Sequence, residues 1–339
     1  MPAAIRGFSV SELWHPWLLV FLLGVWGAYA LVVGPLRRER GWGPPVAPGQ
    51  AACFFLALAV VYLAEGTPLH LLSERFLLSA HMLQHVLLTM GLPPLLLLGT
   101  PGWLIRPFLR PRPVAAAFRL LTHPLVALVT FHGVYSLWHL PALYQAALYN
   151  RFVHLLEHAT IVSTATLMWW ALLSPLPEFP RLPEPAQILY VFLMSAAEIG
   201  VFAYITYNNQ VLYDFYARAP RVWGIDPRMD QQLAGIVMKV APTLVMVSVM
   251  AAAFFRWARR EEAGGGLPAE RKPPAGPGAA AVPAGRQPSA GAAPERAGWM
   301  PPGGPGTPAV PAGRTPPTEA GSAAVQPGGD RAGQPYPQV

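Results

Sequence analysis

The sequence is poor in cysteine and in charge. Its one cysteine, Cys53, sits inside an apolar run. One thiol excludes a disulfide framework within the chain and excludes C-x-x-C metal motifs. Any metal chemistry must therefore use His, Met, carboxylates or backbone. Charged residues make up 12% of the 339, against 53% hydrophobic. Soluble domains carry about 25% charge, so a soluble globular class is excluded. The net charge of +7 does not indicate nucleic acid, because the basic residues cluster at the ends of apolar runs, where they act as topology signals. The N-terminus lacks a basic region followed by a small-residue cleavage site, so a retained first helix is expected rather than a signal peptide.

Two unlike parts follow from the composition. Residues 1–262 are strongly apolar and are expected to form the transmembrane domain. Residues 263–339 are mostly Ala, Gly and Pro, with too few large apolar side chains to offset chain entropy, and read as a disordered cytoplasmic tail.

A bilayer core needs about 20 apolar residues per helix. Seven stretches meet or approach this: Trp17–Leu36, Gly49–Glu65, Phe76–Leu98, Thr122–Leu140, Phe152–Leu173, Ala186–Tyr207 and Gln231–Trp257. The expected fold is all-α, a polytopic bundle of about seven transmembrane helices. Arginines gather in the first connector (Arg37, Arg38, Arg40), in the third (Arg106, Arg110, Arg112, Arg119) and after the last helix (Arg256, Arg259, Arg260). The positive-inside rule then puts the N-terminus outside and the C-terminus in the cytoplasm of a cell-membrane protein.

All nine histidines precede residue 159. Six lie on three consecutive expected helices: His81 and His85, His132 and His139, His154 and His158. The first and third pairs are spaced i,i+4 and the second i,i+7, so each pair shares a helix face. The topology puts all six in the outer half. They suggest two tiers, His81, His139 and His154 shallow, and His85, His132 and His158 about 10 Å deeper. Imidazole suits Cu, Zn, Fe and Ni, and intramembrane polar residues are functional candidates by default. The competing reading of any single histidine is a helix-to-helix hydrogen bond. His15 and His70 near the outer surface read as interfacial or accessory, and His123 as a helix-start residue.

Other intramembrane polar groups surround this pattern. Glu157 and Gln84 are candidates to orient an imidazole. Glu198 and Lys239 each lie about 12 Å deep, which suggests an ion pair between their helices. Met82, Met90, Met194, Met238 and Met246 read as packing residues.

Several runs together resemble a known family. They are His81-Met-Leu-Gln-His85 leading to Pro93-Pro94 and Gly99-Thr-Pro101, Trp138-His139-Leu-Pro141-Ala-Leu-Tyr144, His154-Leu-Leu-Glu157-His158, and Asp230-Gln231-Gln232-Leu-Ala-Gly235. Over about residues 10–260 the chain resembles the CtaG-type membrane proteins, assembly factors for bacterial haem–copper cytochrome c oxidases. The resemblance implies a seven-helix plasma-membrane protein, not an enzyme, that partners oxidase subunits and handles copper. It carries over to His81, His85, His139, His154, His158 and the supporting pair Asp230 and Gln231. Lys239 departs from the expected uncharged residue. Rival readings are a haem protein with two axial histidines, a zinc-dependent membrane hydrolase (weakened by the lack of H-E-x-x-H), a copper permease, and a scaffold whose histidines only hold helices together.

Overall fold

Proline sets where several of the helices begin. In a computed structural model that describes residues 7–264, Pro16, Pro48, Pro68, Pro124 and Pro141 each open a helix at its first residue. Proline costs nothing there, because the missing N–H would have no helical partner. The helices are α1 (Pro16–Leu31, continued by a π turn Val32–Leu36 and by Arg37–Arg40), α2 (Pro48–Glu65), α3 (Pro68–Arg75), α4 (Leu78–Val86), α5 (Leu92–Gly99), α6 (Arg112–Leu121), α7 (Pro124–Trp138), α8 (Pro141–Tyr149), α9 (Arg151–Leu173), α10 (Glu184–Ala197), α11 (Ile199–Tyr207), α12 (Asp214–Arg218) and α13 (Pro227–Gly264). No strand occurs among the described residues.

Each of the seven expected segments is helical. Five helices are long and apolar enough to cross a membrane: Pro16–Arg40, Pro48–Glu65, Leu78–Gly99, Glu184–Tyr207 and Pro227–Ala263. A sixth is counted if α6 and α7, bent by 72° at Thr122-His123, form one span. The remaining segment, α9, is a continuous helix of 23 residues that carries His154, Glu157 and His158 in its first turns. The tail expected to be disordered begins at residue 263, and all of it beyond Gly264 lies outside the described residues.

The main core lies between α4, α7, α9, α10 and α13, with Met82, Phe131, Met168, Trp169, Met194 and Met246 fully buried. The five methionines read from sequence as packing residues all belong to it. Helices α4 and α5 are joined by a π segment, Leu87–Gly91. Such segments recur at functional sites because they re-aim the residues beside them. Here the Thr89 carbonyl accepts a hydrogen bond from the buried Trp169 indole (2.9 Å), which ties α4 to α9. Helix α5 runs close along α2, since a Cβ on Gly99 would collide with the Phe54 backbone.

Polar side chains fix the ends that matter for the site. Asn150 caps α9, accepting from Phe152 N (2.9 Å) and Val153 N (3.3 Å). Helix α4 has no side-chain cap of its own. Asp230 from α13 supplies one, accepting from Leu78 N (2.7 Å), Ser79 N (3.1 Å) and Ser79 Oγ (2.5 Å). A carboxylate at a helix N-terminus is favoured by the exposed N–H groups and the helix dipole. Gln231 accepts from Leu212 N (2.8 Å) and donates to Ile205 O and Gln210 O (3.1 Å each), which pins the loop before α12. Asp230 thus ties α13 to the start of α4, and Gln231 ties it to the loop before α12. At the other end of the bundle the arginines make ties of their own, Arg106 to Glu178 (2.7 Å) and Arg260 to Glu184 (2.8 Å).

The expected ion pair between Glu198 and Lys239 is not formed. Lys239 Nζ instead donates to Ser195 O (2.7 Å) and Ser195 Oγ (3.2 Å). Glu198 sits in the break between α10 and α11 with its Oε2 buried and unpartnered. The expectation came from equal depth, and depth does not fix the direction in which a side chain leaves its helix.

Candidate metal centre

Five of the six candidate histidines converge. His81 and His85 come from α4, His154 and His158 from α9, and His139 from the turn between α7 and α8. The facing nitrogens of His81 and His85, both Nε2, are 3.0 Å apart. Ring centroids are 4.3 Å apart for His154 and His158, 5.2 Å for His85 and His158, 5.5 Å for His81 and His154, and 5.8 Å for His85 and His139. The two expected tiers are thus one cluster, because α4 and α9 pack with their histidine faces together.

Hydrogen bonds fix the tautomers of most of these rings. The Tyr216 hydroxyl donates to Ser73 O (2.6 Å), so its oxygen accepts from His81 Nδ1 (3.1 Å). His81 Nε2 is then the lone-pair nitrogen. His139 Nδ1 donates to Tyr135 O (2.6 Å). His154 Nδ1 faces Glu74 Oε1 (3.1 Å) and His158 Nδ1 faces Glu65 Oε1 (3.1 Å). Carboxylates only accept, so Nδ1 carries the proton in both rings and the neutral ring keeps a lone pair on Nε2.

Buried nitrogens without partners result. His139 Nε2, His154 Nε2, His158 Nε2 and His85 Nδ1 are buried with no hydrogen bond, as are both carboxylate oxygens of Glu157. Each such group costs about 1–3 kcal/mol if left unsatisfied, and six in one place are unusual for a packed core. Glu157 is fully buried with Oε1 3.7 Å from His85 Nε2. It stands among the imidazoles, close enough to belong to a group that could hold an ion.

The donors fit a cation. Two groups have ligand atoms mutually within 4.8 Å: His81, His85 and His158, and His81, His154 and Glu157. Ligand nitrogens about 2.0–2.1 Å from a tetrahedral ion lie roughly 3.3 Å apart, close to the His81–His85 spacing. No cysteine enters either group. Imidazole with one carboxylate suits copper or zinc better than magnesium or calcium.

Glu65 and Glu74, which sequence reasoning missed, do the orienting. A carboxylate on the far nitrogen of a ligating histidine fixes its tautomer and raises its basicity. His70, read from sequence as interfacial or accessory, links the two carboxylates, with Nδ1 3.2 Å from Glu65 Oε2 and Nε2 3.4 Å from Glu74 Oε1. Burial opposes charge on His70, but the bond to Glu65 and the charges of Glu74 and Glu65 outweigh it and raise its pKa above the usual imidazole range. His15 packs edge-on against His70 at 5.0 Å. Gln84 does not touch His85; its Nε2 reaches Ala64 O and His70 Nδ1 (3.2 Å each).

His132 stays outside the cluster. Its ring nitrogens face Leu128 O (2.9 Å) and Met194 O (3.2 Å), so it holds α7 to α10. The shared face with His139 is lost because α7 tightens at its end. His139 N–H bonds back three residues to Ser136 O (3.2 Å) and Leu140 N–H to Leu137 O (3.2 Å), which rotates His139 away from the helical register.

The pattern of the cytochrome c oxidase caa3 assembly factors matches residues 27–260. The chain belongs to this family. All five clustered histidines, Glu157, Glu65 and Glu74 fall within the matched region. Among curated proteins it is similar to uncharacterized proteins of Mycobacterium bovis and Mycobacterium tuberculosis, each 26% identical over 278 residues, covering 75% of this chain and 41% of theirs. An uncharacterized protein of Mycobacterium leprae is 24% identical over 200 residues, covering 54% of this chain and 30% of its own. The chain thus spans about two-fifths or less of the length of these relatives. No solved structure matches it.

Proposed function

We propose that this family member takes up a copper ion at the outer-face histidine cluster and hands it to a cytochrome c oxidase during assembly. The observation that carries the reading is the set of buried, unpartnered imidazole nitrogens and Glu157 oxygens in one place. A resident structural site would be closed by its ligands, whereas a delivery site needs exchangeable ones. The edge of this cluster meets that need, since His154 and His158 are 15% and 13% exposed and Glu74 is 36% exposed. The reading includes a seven-helix topology in the plasma membrane with the cluster outward, direct contact with oxidase subunits, and no catalysis. It favours a bare ion over haem, because the rings pack directly on one another in pairs such as His154 with His158 (centroids 4.3 Å) and His81 with His158 (5.9 Å), whereas a porphyrin lies between its two axial imidazoles.

The test is the metal content of the oxidase. Oxidase purified from cells whose only assembly factor of this kind carries His81→Ala should contain severalfold less copper than the wild-type preparation, with haem and subunits present, while the variant accumulates to the normal level. Full copper in that oxidase would contradict delivery and leave a scaffold role.

A further inference from the structure

The two ligand groups overlap at one residue. His81 belongs to both, while His85 and His158 serve one and His154 and Glu157 the other. The groups also differ in position along their helices, His154 one turn before His158 on α9 and His81 one turn before His85 on α4. His154 is in the first turn of α9, and its ring is held by Glu74 at the exposed edge. His85 is 1% exposed and sits one turn along α4 from His81, about 6 Å farther from the start of that helix.

His81 cannot serve two ions together. Its Nδ1 is bound to the Tyr216 hydroxyl, which leaves one lone pair, on Nε2. We propose that the centre offers two alternative positions to a single copper ion, an outer one formed by His81, His154 and Glu157 and an inner one formed by His81, His85 and His158, and that the ion pivots on His81 between them. This rests on the copper reading above. The step is ligand exchange without change of oxidation state: the bonds to His154 and Glu157 break as bonds to His85 and His158 form, and the His85 proton that faces His81 Nε2 moves to the unpartnered Nδ1 as Nε2 binds. The ion keeps one imidazole throughout, so it is never fully stripped in a dry interior. The two positions also differ in character, since the outer set contains a carboxylate and the inner set three imidazoles, and the carboxylate makes the outer set harder.

The experiment loads the full-length purified chain with Cu(II), desalts it, and measures copper per chain together with the electron paramagnetic resonance spectrum. Wild type should hold one copper. His154→Ala and His85→Ala should each still hold one, at about tenfold lower affinity, with two different spectra. The His154→Ala spectrum should show three-imidazole nitrogen coupling, and the His85→Ala spectrum the weaker nitrogen coupling of an outer set with an oxygen donor. The double variant should hold none. Loss of copper from either single variant would mean one indivisible site and overturn the proposal. Two coppers per wild-type chain would overturn it as well, in favour of a binuclear centre. Wild type without copper would instead remove the copper reading itself. Thermal unfolding of each variant separates lost ligands from lost fold, and the two single-variant spectra decide the matter even if the double variant does not fold.

Discussion

Replacing Glu65 by Gln is expected to weaken copper binding by up to about tenfold, the low end of the usual effect of removing a group that orients a metal-bound histidine, because the position formed by His81, His154 and Glu157 remains. The carboxylate touches no donor nitrogen. It holds His158 Nδ1 at 3.1 Å through one oxygen and His70 Nδ1 at 3.2 Å through the other. The amide keeps the shape, but it replaces one acceptor by a donor and removes the charge that faces His158 Nδ1. A competition titration against a copper chelator reads the change directly. The fold should persist, since Glu65 is at the end of α2 and its partners are the site's own side chains. Unchanged affinity would mean that His158 does not bind the ion.

His81→Ala should have the largest effect, a fall in bound copper to the level of an unloaded control. His81 is common to both ligand groups, is fully buried, and is the only one of the clustered histidines aligned by a tyrosine hydroxyl. His132→Ala makes the contrast. That ring binds two carbonyls in the α7–α10 contact, so its loss should lower the unfolding temperature while copper per chain stays at the wild-type value. Elemental analysis of the two variants side by side checks both statements, and loss of copper from His132→Ala would return that residue to the ligand set.

The sequence carried the pairs and lost the partners. His81 with His85 and His154 with His158 were legible because i,i+4 spacing fixes a face on any helix. The family match over residues 27–260 agrees with the resemblance drawn from the motifs around them. Glu65, Glu74 and Tyr216 were not legible, because each comes from another segment and meets the histidines only through packing. The closeness of Glu157 to His85 was hidden for a related reason. Its offset of roughly a third of a turn counts against a shared face on an isolated helix, but the cluster is wide enough that α4 reaches it with His85. His132 failed where the α-helical repeat itself failed, at the tightened end of α7. Lys239 was expected to seek the carboxylate at its depth, yet Ser195 offers two oxygens nearer by. The role of Asp230 in starting α4 was visible only as a motif, since a cap supplied 152 residues away leaves no local signature.

The most direct measurement is X-ray absorption at the copper edge, with elemental analysis, on the purified full-length protein after loading and desalting. The account predicts close to one copper per chain in a shell of nitrogen and oxygen only, with the outer-shell scattering of at least two imidazoles. A protein that retains no copper, or that holds it through sulfur, would contradict it.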